Sequence, residues 1–207
     1  VVEVYGNPPD AWRDYDAVQV VARRRLAQGW HGQASYTWSR TRGTITNGYH
    51  ANSGGRGTFG NPNQLVNGAD RSPGDPTSEV KLLGGWRPTR LCGFTVAGVY
   101  RYSTGAAWGR TFVATGLGQG SETILAEPRG TRRVEAISNL DLRVEKSVPL
   151  GGTRQLSVFA DVFNVTNQGV PDSDWVVPIV TNSGPSLGLP TAWRTPRTVR
   201  VAVRVIF

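Results

Sequence analysis

The stretch RTVRVAVRVIF (197–207) puts Val199, Val201, Val203, Val205 and Phe207 at every second position, with Arg200, Ala202, Arg204 and Ile206 between them. Side chains of a strand point alternately to opposite faces, so this period of two predicts a strand with one apolar and one cationic face. No polar tail follows Phe207.

The same period recurs upstream. In WHGQASYTWSRT (30–41), Trp30, Gly32, Ala34, Tyr36, Trp38 and Arg40 share one face, mainly aromatic and small, and His31, Gln33, Ser35, Thr37, Ser39 and Thr41 share the other. In FTVAGVYRYS (94–103), Phe94, Val96, Gly98, Tyr100 and Tyr102 oppose a row containing Arg101. In NLDLRVEKSV (139–148), Leu140, Leu142, Val144 and Val148 oppose Asp141, Arg143, Glu145 and Ser147. Weaker alternation over 15–26, 79–87 and 155–166 brings the expected number of strands to seven.

The connections alternate in length. AQG (27–29), PTRLCG (88–93) and PLGGT (149–153) are short and carry turn residues. The three between them, from Arg42 to Ser78, Thr104 to Arg133 and Asn167 to Pro196, are long. Long connections are uncommon in compact soluble domains. Strands of about ten residues, an apolar row edged by aromatics, and alternating short and long connections predict an all-β, antiparallel, up-and-down transmembrane β-barrel. A sheet that spans hydrocarbon has to close, because an open edge leaves backbone groups unsatisfied. Bacterial single-chain barrels have even strand numbers, so seven strands predict an arc of a larger barrel. The competing architecture is a soluble β-sandwich acting as a binding or adhesion module, with the apolar rows meeting in a core. It has to accommodate Asp141, Arg143 and Glu145 in one row, and tryptophans and tyrosines clustered toward strand ends as in an interfacial belt.

Composition narrows the remaining classes. The single cysteine, Cys92, excludes an internal disulfide and clustered-thiolate metal sites. Methionine is absent, even as an initiator, so the chain is read as a fragment or processed segment. No apolar run approaches the roughly 18 residues of a membrane helix. A net charge of +8 is compatible with nucleic-acid binding, but the arginines are spread along the chain, and the run Arg23-Arg24-Arg25 closes a strand-like segment. Nucleic acid is therefore not an expected partner.

ASYTWSRTRG, EPRGTRRVEAISNLDLRVEKSVPLGG, LSVFADVFNVTNQ and PRTVRVAVRVIF together resemble the C-terminal barrel strands of TonB-dependent outer-membrane receptors, in particular the Oar-like subgroup with a carboxypeptidase-regulatory-like domain. The resemblance runs from about Tyr15 to Phe207. It implies a 22-stranded barrel whose last seven strands or so lie in residues 1–207, with the plug and N-terminal domains outside this chain. It also implies energised passage of a bulky, unidentified substrate across the bacterial outer membrane. The implied partners are outer-membrane lipid, the barrel-assembly machinery, a plug domain and the TonB complex. Ala202 stands where the family often has glycine, and GDPTSEV (74–80) lacks the usual basic residue before strand three.

On this reading Gln33, Ser35, Arg101, Asp141, Arg143, Glu145, Asp161, Arg200 and Arg204 face the lumen. Val199, Val201, Val203, Val205 and Phe207 form a terminal-strand signal for assembly. Asp141 and Glu145 stand about 13 Å apart along one strand, too far to act as a carboxylate pair, with Arg143 between them in an alternating charge ladder. His31 and His50 have no partner at metal-ligand spacing. GLGQG (116–120) lacks the helix and spacing of a dinucleotide loop and is expected to be a flexible loop. Asp70 and Asp75 in NGADRSPGDPT (67–77) are read as a turn cluster before a calcium site. NVT (164–166) is placed inside a strand, which discounts it as a glycosylation acceptor. No catalytic grouping, cofactor or metal is predicted.

Overall fold

The computed structural model describes residues 9–45, 62–72, 75, 77–88, 93–118, 120–172 and 179–207. Seven long strands form an antiparallel meander: β1 (Arg13–Ala27), β2 (Trp30–Gly43), β4 (Ser78–Trp86), β5 (Phe94–Ser103), β10 (Ile137–Gly151), β11 (Arg154–Phe163) and β12 (Thr198–Ile206). They pair in that order, with β1 and β12 at the two edges of an open sheet. A two-residue strand, β3 (Asp70–Arg71), adds to the end of β2.

Turn chemistry fixes the registers. Gln28 and Gly29, both at positive φ (53° and 80°), bridge Ala27 and Trp30. Two successive left-handed residues are the requirement of the tight hairpin turn whose twist matches the flanking strands. At the other end of the sheet, β11 stops at Phe163 rather than continuing to Thr166. Asn164 takes φ 50°, and its side-chain oxygen accepts the Gln168 N–H, which bends the chain out of the ladder. NVT therefore lies in a turn, and the Asn164 amide donates to the carbonyls of Gln168 and Thr195.

The described parts of the long connections carry strands of their own. β6 (Ala107–Trp108) pairs with β9 (Arg132–Arg133), and β7 (Thr111–Leu117) pairs with β8 (Gly120–Leu125). Of GLGQG, Gly116 and Leu117 thus end one arm of a β-hairpin and Gly120 begins the other, with both glycines at positive φ, and Gln119 lies outside the described residues. The connections are stitched to one another: the Thr111 N–H donates to the Thr181 carbonyl, and the Arg129 N–H to the Asn67 carbonyl. Ala106, Trp108, Val134 and Ile179 form a small buried apolar cluster there, with Leu187 against it.

That cluster locates the core, and it is not on the sheet face. The strand register places Trp38, Val80, Leu82, Tyr100, Leu142, Val144, Val158 and Val201 on one common face. Much of this face is uncovered, with Val201 at 69% exposure and Val203 at 62%. The opposite face holds buried polar groups, among them Ser39, Thr41, Ser103, Ser157 and Asp161. The burial pattern of a water-soluble protein is inverted. At about 25 cal/mol per Å² of apolar surface, leaving these rows in water forfeits the main driving force for folding.

Candidate functional site: the ion-paired polar face

All nine polar candidates, Gln33, Ser35, Arg101, Asp141, Arg143, Glu145, Asp161, Arg200 and Arg204, sit on the polar face. The register shows this directly: Ser35 lies opposite Lys81, Lys81 opposite Arg101, Arg143 opposite Asp161, and Asp161 opposite Arg200.

Asp161 is the hub. Its side chain is 5% exposed and lies between two guanidiniums from the neighbouring strands. Arg143 donates through Nε (2.6 Å to Oδ1) and Nη2 (3.0 Å to Oδ2), a fork that matches the carboxylate. Arg200 donates to Oδ2 through Nε (2.9 Å) and Nη2 (2.6 Å). Each guanidinium also lies over an aromatic ring, Arg143 over Phe159 at 4.4 Å and Arg200 over Phe163 at 5.5 Å. The carboxylate thus satisfies two cations at once.

Further along the same face, Arg204 Nη2 donates to Glu145 Oε1 (2.8 Å) across β11. Beneath it Ser157, fully buried, shares a hydroxyl hydrogen bond with Ser147 (2.8 Å). Glu79 accepts from Arg101 (3.1 Å) and pairs with Lys81 (2.8 Å). The charges of β10 therefore pair across strands and not along β10: Arg143 reaches to Asp161, while Asp141 accepts from Asn139 (3.0 Å) and from the Asn164 N–H (2.8 Å). Period-two spacing identifies the face, but partners are set by the register between strands.

At the long-connection end the face meets a second polar cluster, in which Asp70 and Asp75 of the turn meet arginines that the sequence did not single out. Arg133 Nη1 donates to the carbonyls of Asp75 (3.0 Å) and Gly105 (2.8 Å), and the largely buried Arg129 donates to the Gly43 carbonyl (3.4 Å). Burial pushes both guanidiniums below the ordinary arginine value. Asp75 accepts from the Thr41 N–H (3.1 Å) and lies 3.6 Å from Arg71, and Asp70 accepts from the Arg71 N–H (2.8 Å). Both carboxylates of the turn cluster thus have partners within the protein. Glu127 bridges the Arg132 guanidinium (2.6 Å) and the Arg110 N–H (2.8 Å). Its hydrogen bond to Arg132 holds the carboxyl below its ordinary value.

His31 lies on the polar face, where its ring packs over Gly85: a Cβ on that glycine would stand 2.5 Å from His31 Cε1. His50 and Cys92 lie outside the described residues. Among the described residues no group of three His, Cys, Asp or Glu could hold a metal ion.

On the opposite face Val199, Val201, Val203 and Val205 project in one row from the edge strand β12, and Phe207, just beyond it, is 87% exposed.

A two-faced antiparallel meander, apolar on one face and ion-paired on the other, is the arrangement used by proteins that meet lipid with a sheet. The sequence comparisons point the same way. The chain is 29% identical over 181 residues to the TonB-dependent transporter Oar of Myxococcus xanthus, an alignment that covers 82% of this chain and 17% of that protein. It thus spans about one-sixth of that relative's length. No family model matches the chain, and no solved structure matches it significantly.

Proposed function

We propose that this chain is a stretch of the wall of an outer-membrane β-barrel transporter of the TonB-dependent class, through which a bulky substrate passes with energy from the TonB complex. The observation that carries the reading is the inversion of burial: valines and leucines uncovered on one face, an aspartate gripped by two arginines on the other. In a bilayer the uncovered rows meet acyl chains at no cost, and the ionised rows meet a wet lumen or a plug domain.

On this reading residues 1–207 are one barrel region, completed by further strands at the β1 and β12 edges into a barrel of the 22-stranded type that the resemblance implies. The nine polar-face residues line the lumen, and the long connections form the outward rim where substrate is first met. The β12 edge, with its row Val199 to Phe207, is the surface offered to the barrel-assembly machinery. The wall itself performs no chemistry.

The soluble binding-module alternative needs a second layer over the apolar rows, and the described residues do not supply one. The test is fractionation and heat modifiability of the full-length protein. Recovery with outer membranes and a gel migration that shifts on boiling support the proposal. Recovery as a monomer in detergent-free buffer contradicts it.

A further inference from the structure

Charge is distributed unevenly between the two ends of the sheet. Apart from the Arg204–Glu145 pair, the short-turn end carries Arg23, Arg24, Arg25, Arg87, Lys146 and Arg154, and no other Asp or Glu among the described residues. Aspartates and glutamates gather along the polar face and in the long connections, where they meet Arg71, Arg101 and Arg132.

Arg24 and Lys146 among the short-turn cations belong by register to the apolar face. Arg24 lies opposite Gly32, and Lys146 opposite Phe94. Both lie over rings at the edge of that face, Arg24 4.0 Å from the Trp30 centroid and Lys146 4.4 Å from that of Phe94. An aromatic ring beneath a cation marks the level where hydrocarbon gives way to headgroups.

Beside Arg24 the apolar face is hollowed. Gly32, Gly84 and Gly98 stand directly opposite one another on β2, β4 and β5, continuing the row that Arg24 begins and Leu142 closes. Glycine at this row of three adjacent strands leaves a shallow groove of about 560 Å³, walled by Leu82, Tyr100 and Leu140 on one side and Trp30, Trp86 and Val96 on the other. One end of the row is thus cationic, and the floor is glycine backbone that ends where the Leu142 side chain lies over Gly98.

We propose that this groove and its arginine bind one anionic glycerophospholipid, with an acyl chain in the Gly32–Gly84–Gly98 groove and the phosphate on Arg24. The surrounding arginines act as a collar that selects anionic headgroups in the leaflet facing the short turns. The inference rests on the barrel-wall reading. Its basis is charge complementarity: Arg24, whose guanidinium donates to the neutral Ala27 carbonyl (3.5 Å) and Gln28 Oε1 (3.3 Å) of its own hairpin, stands at the head of an apolar groove and so matches a lipid with a negative head and a hydrocarbon tail.

The test uses the full-length protein in bilayers mixing phosphatidylglycerol and phosphatidylcholine of identical chains, with retained lipid counted by native mass spectrometry after extraction. The unmodified protein retains phosphatidylglycerol preferentially. Arg24→Gln lowers that preference about fivefold, the factor for losing one surface charge, and Arg24→Lys keeps most of it. Gly32→Leu fills the groove, since a Cβ there meets its nearest atom, the Leu83 carbonyl oxygen, at an ordinary 3.4 Å, and it lowers retention of both lipids. Each variant is first checked for the heat-shifted migration of a folded barrel. Equal retention of the two lipids by the unmodified barrel, or unchanged preference in folded Arg24→Gln, overturns the inference and leaves the barrel reading intact. Absence of heat-shifted migration in the unmodified protein overturns the reading beneath it.

Discussion

Placing a charge at the middle of the apolar face separates a membrane wall from a water-soluble sheet. On β10 the part of the apolar face bounded by the polar Ser138 and Lys146 spans roughly 26 Å along the strand at 3.3 Å per residue, or about 20 Å of height at a strand tilt of about 40°, which fits within a barrel's apolar band. Leu142 is its midpoint, 36% exposed and flanked by Gly98 and Val162. Leu142→Arg should cost about 2–4 kcal/mol in a bilayer, the range for arginine on a barrel's lipid face at midplane. In water an already half-exposed leucine replaced by arginine costs about 0.5 kcal/mol or less. Val99→Arg is the control: Val99 is 51% exposed on the polar face and lies opposite Asp141. Leu142→Ala removes the packing of Leu142 over Gly98 without adding charge, so the excess of Leu142→Arg over Leu142→Ala isolates the lipid term. Equilibrium denaturant unfolding of the full-length protein in lipid vesicles measures all three. Equal costs for Leu142→Arg and Val99→Arg would refute the assignment of faces.

Three further outcomes follow from the packing. Ser157→Val removes the fully buried hydroxyl that bonds Ser147 (2.8 Å) and Gln155 (3.3 Å), while Ser147 keeps its bond to Glu145 (3.2 Å). It should cost about 0.5–1.5 kcal/mol in the same unfolding assay. Gly105→Ala puts a Cβ 1.8 Å from the Val134 carbonyl oxygen. It should open the β6–β9 layer to limited proteolysis between Ala106 and Val134 while the heat-shifted migration of the barrel persists. Because Arg132 holds Glu127 below the ordinary carboxylate value, their contact contributes fully above that ordinary value and is lost as the pH falls through the lowered one. Amide protection factors at Trp108 and Arg132, which are corrected for the intrinsic pH dependence of exchange, should therefore fall only in that acidic window, and Glu127→Gln should abolish the fall.

The strands were legible because period two is a local signal. Trp30 to Trp38, Leu140 to Val148 and Val199 to Val205 each announce their own face, and AQG announces a hairpin turn that Gln28 and Gly29 then make. What depends on register between strands was not legible. Nothing local tells Arg143 to choose Asp161, eighteen residues on, over Asp141 or Glu145 beside it. The Gly32–Gly84–Gly98 row is likewise three unremarkable glycines until the strands are aligned. The layer of long connections escaped for another reason: Ala107–Trp108 and Arg132–Arg133 are strands of two residues, too short to carry a period. Their stability comes from Trp108, Val134 and Ile179, which meet only in three dimensions.

The central claim is that one face of this sheet meets lipid and the other meets water. Its most direct test is spin-label accessibility on the full-length protein in lipid vesicles, with Cys92 replaced and single cysteines placed in turn from Asn139 to Val148. The account predicts that even-numbered positions are quenched by oxygen and odd-numbered positions by a water-soluble nickel complex, with a period of two through Leu142, Arg143 and Val144. Water-soluble quenching at both Arg143 and Val144 would contradict it.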